Sequence, residues 1–495
     1  MNQLPASRDQ APAARRHAVL VYPRTGIDVP GASVFMPLAV TKLAAALRRH
    51  GWSVVTIDMR TRHDWSQCLS RALEHGPALV GISAMTGEQL KWGLAAAARV
   101  RRQRPRTPLI WGGIHAGILP EQTLQDPHVD AVVAGPGEQL LVQLAEALAA
   151  GRREDVVDRV HKAPLASATA GLEPTPAYGY DHIDWHAYMT PVTDDVRGLA
   201  HVSSRGCPHR CAFCYNAALN GSTWHADEPD RVLAQLAQLV DLDVHGVLFF
   251  DDNFFVSRQR VEAIAQGILA RGWNLTVKAD CRADYILRYD DDFLQLLRRA
   301  GIAALYIGGE SGSDRMLERL HKDCDVATIV EANRKLARHG IRPHYSFMAG
   351  LPGESSADIK ATLDLMLRLK EDNPAAYLSP LKQYLPYPGT ELYQEAQAAG
   401  FRPPDSLQGW SALSWNRRDM PWLNRKQQRY VEKAMYVSLG LDPSVTELSG
   451  IKRNRFLNSG FERFTRLCRR RCRRPDLGLV PELPMVRLVR RLQGL

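Results

Sequence analysis

Three closely spaced cysteines constrain this chain more than any other feature. The segment Ser204–Asn216 contains Cys207, Cys211 and Cys214 in the spacing C-x3-C-x2-C. Three thiolates at this spacing can surround one cubane iron–sulfur cluster, which usually takes four protein ligands, so one iron stays open for a substrate or cofactor. A zinc knuckle is the alternative, but zinc prefers four ligands in paired spacings, and the sequence has no obvious fourth ligand.

The remaining cysteines are interpreted as inert. Cys68, Cys281 and Cys324 are isolated in helical or strand contexts, where a buried thiol packs like a small hydrophobe. Cys468 and Cys472 lie among arginines with C-x3-C spacing, which predicts a solvated helix, with a redox or metal role as the alternative. No run of about 18 apolar residues is present. The polar segment Met1–Arg16 lacks the apolar core of a signal peptide. We therefore expect a cytoplasmic protein without disulfides.

The chain has 495 residues, which predicts two or three domains. We divide it into a disordered lead-in (1–16), a doubly wound α/β domain (17–151), a linker (152–197), a partial six-unit βα barrel (198–400) and a mainly helical region with a basic tail (401–495). In both α/β domains the site is expected at the carboxyl ends of the strands.

Apolar runs and helical periodicity place the elements. In the first domain we predict strands at Ala18–Tyr22, Ser53–Ile57, Ala78–Ser83, Pro108–Trp111 and Ala131–Ala134, and helices at Leu38–Arg49, Glu88–Gln103 and Gln139–Ala150. In the second we predict strands at Leu199–Ser203, Gly246–Phe250, Leu275–Ala279, Ala303–Ile307, His344–Ala349 and Ala376–Gln383.

The positive charge is concentrated in the tail. Residues 451–495 hold thirteen Lys or Arg and three acidic residues, which accounts for the whole net charge of +10. Leu457, Phe461, Phe464 and Cys468 share one helical face, with arginines elsewhere around the helix. Such a helix either lies on an anionic membrane surface or packs its apolar face on the barrel. The rest of the chain is near neutral, so we expect no nucleic-acid partner.

At the cysteine segment the chain resembles the radical S-adenosylmethionine (SAM) superfamily, whose signature is C-x3-C-x2-C on a partial barrel. The resemblance implies a [4Fe–4S] cluster on Cys207, Cys211 and Cys214, whose open iron chelates the amino and carboxylate groups of SAM. It also implies that Phe213 packs near the adenine, and we include the adjacent Tyr215 as a SAM contact.

Further SAM contacts are implied at two strand ends. Many relatives carry Gly-Gly-Glu after the second barrel strand, whereas this chain has Asp251 and Asp252, which either replace it or cap a helix. The stretch Gly308–Gly312 resembles the family's ribose-binding segment and supplies Glu310 and Ser311. Two similar barrel-top turns, Gly350–Glu354 and Pro386–Thr390, are structural or ligand-contacting.

The first domain resembles the cobalamin-binding domain of the cobalamin-dependent radical SAM branch. That branch includes the anaerobic Mg-protoporphyrin IX monomethyl ester cyclase, bacteriochlorophyll methyltransferases and hopanoid methylases. The resemblance rests on three loops that follow strands, Gly81–Gly87, Trp111–Ala116 and Ala134–Glu138. The implied cobalamin contacts are Thr25, Gly26, Ser83, Thr86, Gly112, Gly113, His115, Gly135, Gly137 and Glu138.

Two departures qualify the cobalamin site. Relatives often have Gly-Glu-Gly-Glu where this chain has Gly135-Pro136-Gly137-Glu138. The Asp-x-His-x-x-Gly motif that supplies a lower cobalt ligand elsewhere is missing. We therefore expect cobalt to lack a histidine ligand, with His115 as a loop residue near the corrin, and loss of cobalamin by the whole domain stays an alternative.

The resemblance implies a methyltransferase that acts on an unactivated carbon through methylcobalamin and a 5′-deoxyadenosyl radical, with an external electron donor such as flavodoxin or ferredoxin. The alternative is a non-methylating oxidoreductase or cyclase of a tetrapyrrole, lipid or natural product. A transfer-RNA methylthiotransferase would need three more N-terminal cysteines, and only Cys68 precedes the triad. The expected substrate is a small molecule, lipid-like or a tetrapyrrole, met in the cytoplasm or at the membrane periphery.

Overall fold

The computed structural model of the chain describes residues 16–29, 31, 33–163, 180–413, 420–442 and 455–483. These residues form a six-stranded sheet, an eight-stranded sheet and a two-stranded hairpin. None of the helices in these ranges has the length and apolar character needed to cross a membrane. Residues 1–15 of the predicted lead-in lie outside the described residues.

The first sheet forms the N-terminal domain. Its strands are β1 (His17–Tyr22), β2 (Ser53–Asp58), β3 (Leu79–Ser83), β4 (Leu109–Gly112), β5 (Ala131–Ala134) and β6 (Arg159–Lys162). Its helices are α1 (Leu38–Arg49), α2 (Trp65–Glu74), α3 (Glu88–Gln103), α4 (Ile114–Ile118), α5 (Pro120–Leu124) and α6 (Glu138–Ala149). The strand order is β2-β1-β3-β4-β5-β6 and all pairs are parallel.

The apolar runs of this domain follow from burial on both faces of the sheet. In β1, Val19 and Val21 enter one hydrophobic core, whereas Ala18 and Leu20 enter the core on the opposite face. A parallel sheet covered by helices on both sides requires such continuous apolar strands. The order of strands reverses between β1 and β3, and ligands bind at such a switch point, beyond the carboxyl ends of the strands.

All five predicted strands and three predicted helices of this domain are present, with ends within one residue of the prediction. Helices α2, α4 and α5 and strand β6 were not predicted. Strand β6 pairs with β5 although it lies in the stretch interpreted as a linker. It is an edge strand of sequence Arg-Val-His-Lys, half-exposed, and therefore lacks the apolar run of the buried strands.

The chain continues into the second sheet and the hairpin. The strands are β7 (Thr190–Pro191), β8 (Arg197–His201), β9 (Ser204–Gly206), β10 (Trp224–Ala226), β11 (Gly246–Phe249), β12 (Thr276–Cys281), β13 (Ile302–Glu310), β14 (Arg342–Ala349), β15 (Tyr377–Leu378) and β16 (Lys382–Gln383). The helices are α7 (Tyr215–Asn220), α8 (Pro229–Asp241), α9 (Arg258–Ala270), α10 (Ala283–Arg288), α11 (Asp291–Arg299), α12 (Asp314–Arg319), α13 (Val326–Arg338) and α14 (Ser356–Asp372).

The second sheet is an open, partial barrel. Its order is β15-β14-β13-β12-β11-β8-β7, with β16 also paired to β14, and only β7 is antiparallel to its neighbour. The predicted fold class, a Rossmann-like domain followed by a partial barrel, is confirmed. The predicted sixth strand is divided into β15 and β16. Pro380 lies between them and has no N–H to donate to a neighbouring strand.

The C-terminal region returns to both domains. Its helices are α15 (Glu391–Ala398), α16 (Leu407–Ser411), α17 (Arg425–Ser438) and α18 (Arg455–Cys472). Phe401 and Trp410 belong to the core of the first domain, and the Trp410 indole N–H donates to Gln122 Oε1 at 2.7 Å. Helices α17 and α18 pack on each other and on α14 of the barrel.

Packing within the protein explains the amphipathic pattern of α18. The ring of Phe464 contacts Tyr436 of α17 at 5.5 Å between centroids. Cys468 and Cys472 are fully buried, so the prediction that they lie on a solvated face is wrong. The side chain of Leu457 lies outside the described residues. The apolar face is therefore directed at the barrel, as in the second of the two arrangements predicted for this helix.

Candidate functional site

The three cysteines lie in one loop between β9 and α7, and its backbone is held at several points. The N–H of Gly206 donates to Asp252 Oδ2 at 2.7 Å. The N–H of Ala212 donates to the carbonyl of Leu320 at 3.0 Å, and the N–H of Cys214 donates to that of Cys211 at 3.0 Å. The loop is therefore fixed to the barrel at both of its ends.

The three thiols are close enough to influence one another's ionisation. Burial, with smaller contributions from Cys211, Asp252 and Cys207, raises the pKa of the Cys214 thiol to about 12. Burial also raises the pKa of Cys207, with a further increase from Cys211. Three partly buried thiols that repel one another as thiolates are a set that a bound cationic metal centre would deprotonate and stabilise.

Polar side chains approach two of the sulfurs. Arg282 Nη1 lies 3.8 Å from Cys211 Sγ, and Asn253 Nδ2 lies 3.9 Å from Cys207 Sγ. Among the described residues, no three His, Cys, Asp or Glu side chains are placed as a site for a single metal ion requires. A cubane makes a different demand, since its thiolates bind separate iron atoms, and an all-thiol donor set suits it.

The adjacent carboxylates Asp251 and Asp252 have different partners. Asp251 is fully buried and accepts from the N–H of Ser203 at 2.8 Å, Ser203 Oγ at 2.7 Å and Ser204 Oγ at 2.6 Å. Asp252 accepts from the Gly206 N–H, interacts with the Tyr215 hydroxyl and lines a cavity. Of the two, only Asp252 faces space in which a SAM amino group could bind.

Phe213 and Tyr215 flank the last cysteine on different sides. Phe213 packs against the small hydrophobic cluster that includes Ala212 and Tyr384. Tyr215 lines the cavity, and burial raises its pKa, followed by the effect of Asp252. Phe213 therefore packs in a hydrophobic cluster, whereas Tyr215 borders the cavity.

At the end of β13, Glu310 and Ser311 have structural partners. Glu310 has a left-handed φ of 59° and its Oε1 accepts from Lys322 Nζ at 3.1 Å in a buried ion pair. Ser311 is fully buried, and its Oγ accepts from the N–H of Ser313 and contacts Thr362 Oγ1. A non-glycine residue in the left-handed region marks a position that the surrounding structure must hold, often near a site.

A cavity of about 310 Å³ lies between the two domains. On the N-terminal side its walls are the ends of β1, β3 and β4 and the loop after β5. On the barrel side they are Ser204, Arg205, Tyr215, Leu219, Asn220, Phe250 and Asp252. One space is therefore bounded both by the strand ends of the Rossmann-like domain and by residues flanking the cysteine loop.

The predicted cobalamin contacts divide into two groups. Six of them line the cavity: Ser83, Gly112, Gly113, Gly135, Gly137 and Glu138. The other four are not among its lining residues: Thr25, Gly26, Thr86 and His115. The mostly apolar walls and short side chains in the first group fit a large flat ring, and none of the lining residues is a histidine.

Two of these glycines are required by the backbone alone. Gly113 has φ +92°, and a Cβ there would lie 2.7 Å from the backbone of Ala84. Gly135 has φ +99°, and a Cβ would lie 2.2 Å from the carbonyl oxygen of Ala163. Their presence therefore follows from the turns themselves and carries no information about the corrin.

His115 is enclosed in protein. It is buried, its Nδ1 is 2.9 Å from Thr86 Oγ1, and its ring meets the edge of Trp410 at 5.8 Å. Burial lowers its pKa to about 4, so the ring is neutral at pH 7. Its contacts lie within the loop and the C-terminal region, and it is not among the residues that line the cavity.

An ion pair crosses the cavity between the domains. Glu138, at the start of α6, accepts from Arg205, which lies two residues before Cys207. Burial raises the pKa of Glu138, but Arg205, Lys42 and a backbone hydrogen bond together outweigh it and hold the pKa below its usual value. Lys42 of α1 donates to the carbonyl of Val202 at 3.2 Å, and burial lowers its pKa to about 8. These contacts set the distance between the cysteine loop and the strand ends of the first domain.

Several residues of this site were not predicted. They are Lys42, Arg205, Asn253, Arg282 and Lys322. Arg282 and Asn253 come shortly after buried strands, where the functional side chains of a parallel barrel meet. Their positions in the sequence could therefore have predicted that they lie at the site. Lys42 lies within a helix, and nothing local indicates that it reaches the other domain.

Two family models match the chain. Residues 29–145 match the B12 binding domain, and residues 202–366 match the radical SAM superfamily. The chain thus contains a B12 binding domain and a radical SAM domain. Its cofactors are a [4Fe–4S] cluster, SAM and cobalamin, as the sequence motifs predicted.

Relatives of both expected activities are similar to the chain. An uncharacterized methyltransferase of Pyrococcus horikoshii is 24% identical over 419 residues, covering 83% of this chain and 88% of that protein. The anaerobic magnesium-protoporphyrin IX monomethyl ester cyclase of Cereibacter sphaeroides is 27% identical over 402 residues, covering 76% of this chain and 62% of the cyclase.

A solved structure has the same fold. The radical SAM methyltransferase TsrM of Kitasatospora setae, with cobalamin and a [4Fe–4S] cluster bound, superposes with a TM-score of 0.69 at 18% identity. The match covers 92% of this chain and 99% of TsrM.

The first prediction concerns the cluster. Changing Cys207, Cys211 or Cys214 to Ala removes one of three thiolates, so each variant is expected to lose the visible absorption of the cluster and reductive cleavage of SAM. Cys324→Ala is the matched control, because this thiol lies in the field of the same cations, Lys322 and Arg282, yet outside the motif. Cleavage at the wild-type rate by Cys211→Ala would contradict the assignment.

The second prediction separates the two carboxylates. An amide has one acceptor oxygen, whereas Asp251 accepts from three donors, so Asp251→Asn is expected to lower the free energy of unfolding by about 1–3 kcal/mol. Asp252→Asn keeps an acceptor for Gly206 and is expected to unfold close to wild type while binding SAM more weakly. Thermal unfolding and a SAM binding titration test both, and equal destabilisation by the two changes would refute the distinction.

Proposed function

We propose that this protein is a cobalamin-dependent radical SAM methyltransferase that methylates an unactivated carbon of a small molecule. The observation that carries the proposal is the shared cavity, which is bounded by the strand ends of the B12 binding domain and by residues beside the cysteine loop. A substrate in this space would be within reach of both halves of the chemistry.

When bound, the cluster with SAM supplies a hydrogen-abstracting radical and cobalamin supplies the methyl group. The chain's own residues hold and orient these groups. Cys207, Cys211 and Cys214 provide the thiolates, and Arg282 offsets their negative charge at 3.8 Å from Cys211 Sγ. The Glu138–Arg205 pair keeps the two domains in register, and the apolar cavity walls exclude water from reactive intermediates.

A second candidate keeps the same cofactors but transfers no methyl group. The similarity to the cyclase favours an oxidoreductase or cyclase of a tetrapyrrole, lipid or natural product. Both candidate reactions would use the same cysteine loop and the same cofactors, so the product distinguishes them.

The third prediction separates the two by product mass. The reconstituted full-length protein is incubated with reductant, hydroxocobalamin, extract of its host and SAM labelled in its methyl group. Methyl transfer gives a labelled product heavier than its precursor by one methylene, and the label is absent when cobalamin is withheld. A product that has lost hydrogen or gained oxygen without label would establish the cyclase-like alternative instead.

The proposal includes two further partners. Reductive cleavage of SAM consumes an electron, so an external donor such as a flavodoxin or ferredoxin is part of it. The substrate is proposed to be a small molecule, either lipid-like or a tetrapyrrole, and not a nucleic acid.

We also propose peripheral contact with an anionic membrane, made by charged side chains alone. The apolar face of α18 is used inside the protein, while Arg463, Arg466 and Arg470 are exposed. Each cation near an anionic surface contributes about 1 kcal/mol, so three support weak, salt-sensitive binding. Truncation of the tail is not a clean test, because it removes the buried Cys468 and Cys472 from the core.

The fourth prediction tests this contact by charge alone. Wild type is expected to sediment with phosphatidylserine vesicles at low salt and to be released at high salt. The triple change Arg463→Gln, Arg466→Gln and Arg470→Gln abolishes sedimentation. The control triple, on the exposed Arg298, Arg334 and Arg338, binds as wild type does. Binding to neutral vesicles, or no effect of the tail changes, would remove the membrane from the proposal.

A further inference from the structure

The inner face of the partial barrel is polar on three neighbouring strands. In β12, Val277, Ala279 and Cys281 enter the hydrophobic core outside the sheet, so the alternating Lys278 and Asp280 face the lumen. Both lumen residues are partly exposed although their neighbours in the strand are buried. Solvent therefore reaches the interior of the barrel at this level.

The same alternation continues on the next strands. Tyr306 of β13 and His344 of β14 are partly exposed between fully buried neighbours such as Leu305 and Tyr345. Strand register places Asp280 beside Tyr306, and Tyr306 beside His344. Four polar side chains thus share one part of the lumen.

Two lysines reach into this group. Lys278 Nζ lies 2.7 Å from His344 Nδ1, and His344 Nε2 lies 2.8 Å from Ser379 Oγ. Lys382 Nζ donates to the Tyr306 hydroxyl at 3.2 Å. Both ammonium groups are 5.8 Å from the centre of the Tyr306 ring. They therefore flank one aromatic ring, and each keeps N–H donors free for a further partner.

Neither ammonium has a carboxylate within ion-pair distance in the part of the chain that the structure describes. Two more deeply buried lysines of the barrel do, since Lys322 is 3.1 Å from Glu310 and Lys370 is 3.0 Å from Asp442. The next cation of β14, Arg342, is also paired, with Asp194 at 2.8 Å. The lumen thus holds two positive charges without the compensation that similar groups receive elsewhere.

The acidic group of the lumen supplies that compensation only weakly. Burial raises the pKa of Asp280 to about 8, and Lys278 opposes the rise. Burial lowers the pKa of Lys278 to about 8, and the pKa of His344 lies well below its usual value because of burial and the two lysines. Burial thus favours the neutral carboxyl form of Asp280, which weakens its compensation of the nearby Lys278 charge.

We propose that Lys278 and Lys382 form a subsite for an anionic oxygen group of the substrate, a carboxylate or a phosphate. This rests on the proposed function, since the group belongs to the substrate of that reaction. Asp280 interacts electrostatically with Lys278 and also with Asp252, which lines the cavity. The two lysines are not among the residues that line the cavity, so the subsite would hold the charged end of the substrate outside the cavity.

Fluorine NMR of the full-length protein with its cluster and cobalamin tests the subsite without turnover. The probes are para-fluorobenzoate, para-fluorophenyl phosphate and the neutral para-fluorobenzamide. Line broadening is followed for wild type, Lys278→Met and Lys382→Met. The control is Lys360→Met, a helix lysine paired with Asp364 and 19% exposed in its side chain. Lys382 is exposed, so its replacement leaves the fold intact even if that of Lys278 does not.

We expect the anionic probes to bind wild type and the control alike, and both lumen variants to bind them more weakly by about fivefold or more, as for lost charge-assisted hydrogen bonds. Tighter binding of the phosphate or of the benzoate identifies which group the substrate carries. No anion binding to wild type, equal binding of the amide, or unchanged binding in Lys382→Met overturns the proposal. Because the assay needs no methyl transfer, its failure is distinct from failure of the proposed reaction.

Discussion

The position of the cysteine loop depends on the two adjacent carboxylates at the end of β11. Asp251 is wholly buried and ties the β8–β9 corner through Ser203 and Ser204, while Arg260 donates to the Ser203 carbonyl at 3.0 Å and to its hydroxyl at 2.8 Å. A buried carboxylate is tolerated only when such donors and a nearby cation replace water. Asp252 then fixes the Gly206 N–H at the entrance to the loop.

That fixed loop matters because the N-terminal domain is held against it. The Glu138–Arg205 pair joins the start of α6 to the strand before the cysteines, and it is mostly shielded from solvent. On the far side, Phe401 and Trp410 complete the hydrophobic core of the N-terminal domain although they follow the barrel in the chain. The apolar contacts stabilise the association of the domains. The ion pair is directional and therefore fixes their relative position.

The sequence was most informative where burial is two-sided and least informative where a contact spans domains. Buried strands such as β5 were predicted because a parallel sheet covered on both faces needs an uninterrupted apolar run. Strand β6 and the hairpin β9–β10 were missed, since three- or four-residue edge strands carry no periodicity and form only against an existing partner. The three cysteines could be predicted to lie together from their spacing alone, because they belong to one short loop.

The cobalamin contacts show the limit of the same method. Glycines after strands were interpreted as space for a ligand, yet Gly113 and Gly135 are required by their own left-handed backbone and by close backbone neighbours. His115 lies in the right loop but is directed into protein, where Thr86 and Trp410 enclose it. A loop motif predicts which strand ends border a site, but the direction of each side chain depends on packing with distant segments.

The cavity has one mainly apolar wall and one polar wall, and this asymmetry follows from the two sheets that form it. The Rossmann-like domain presents Leu20, Ile82 and Ile110 because both faces of its sheet are buried. The partial barrel is open inside, so its strands can carry Asp252 and, deeper, Asp280 without a matching apolar layer. Radical chemistry needs dry walls near the reactive carbon, and recognition needs polar groups at a distance from it. Joining a two-sided sheet to an open barrel therefore gives one molecule both an apolar wall and polar barrel strands.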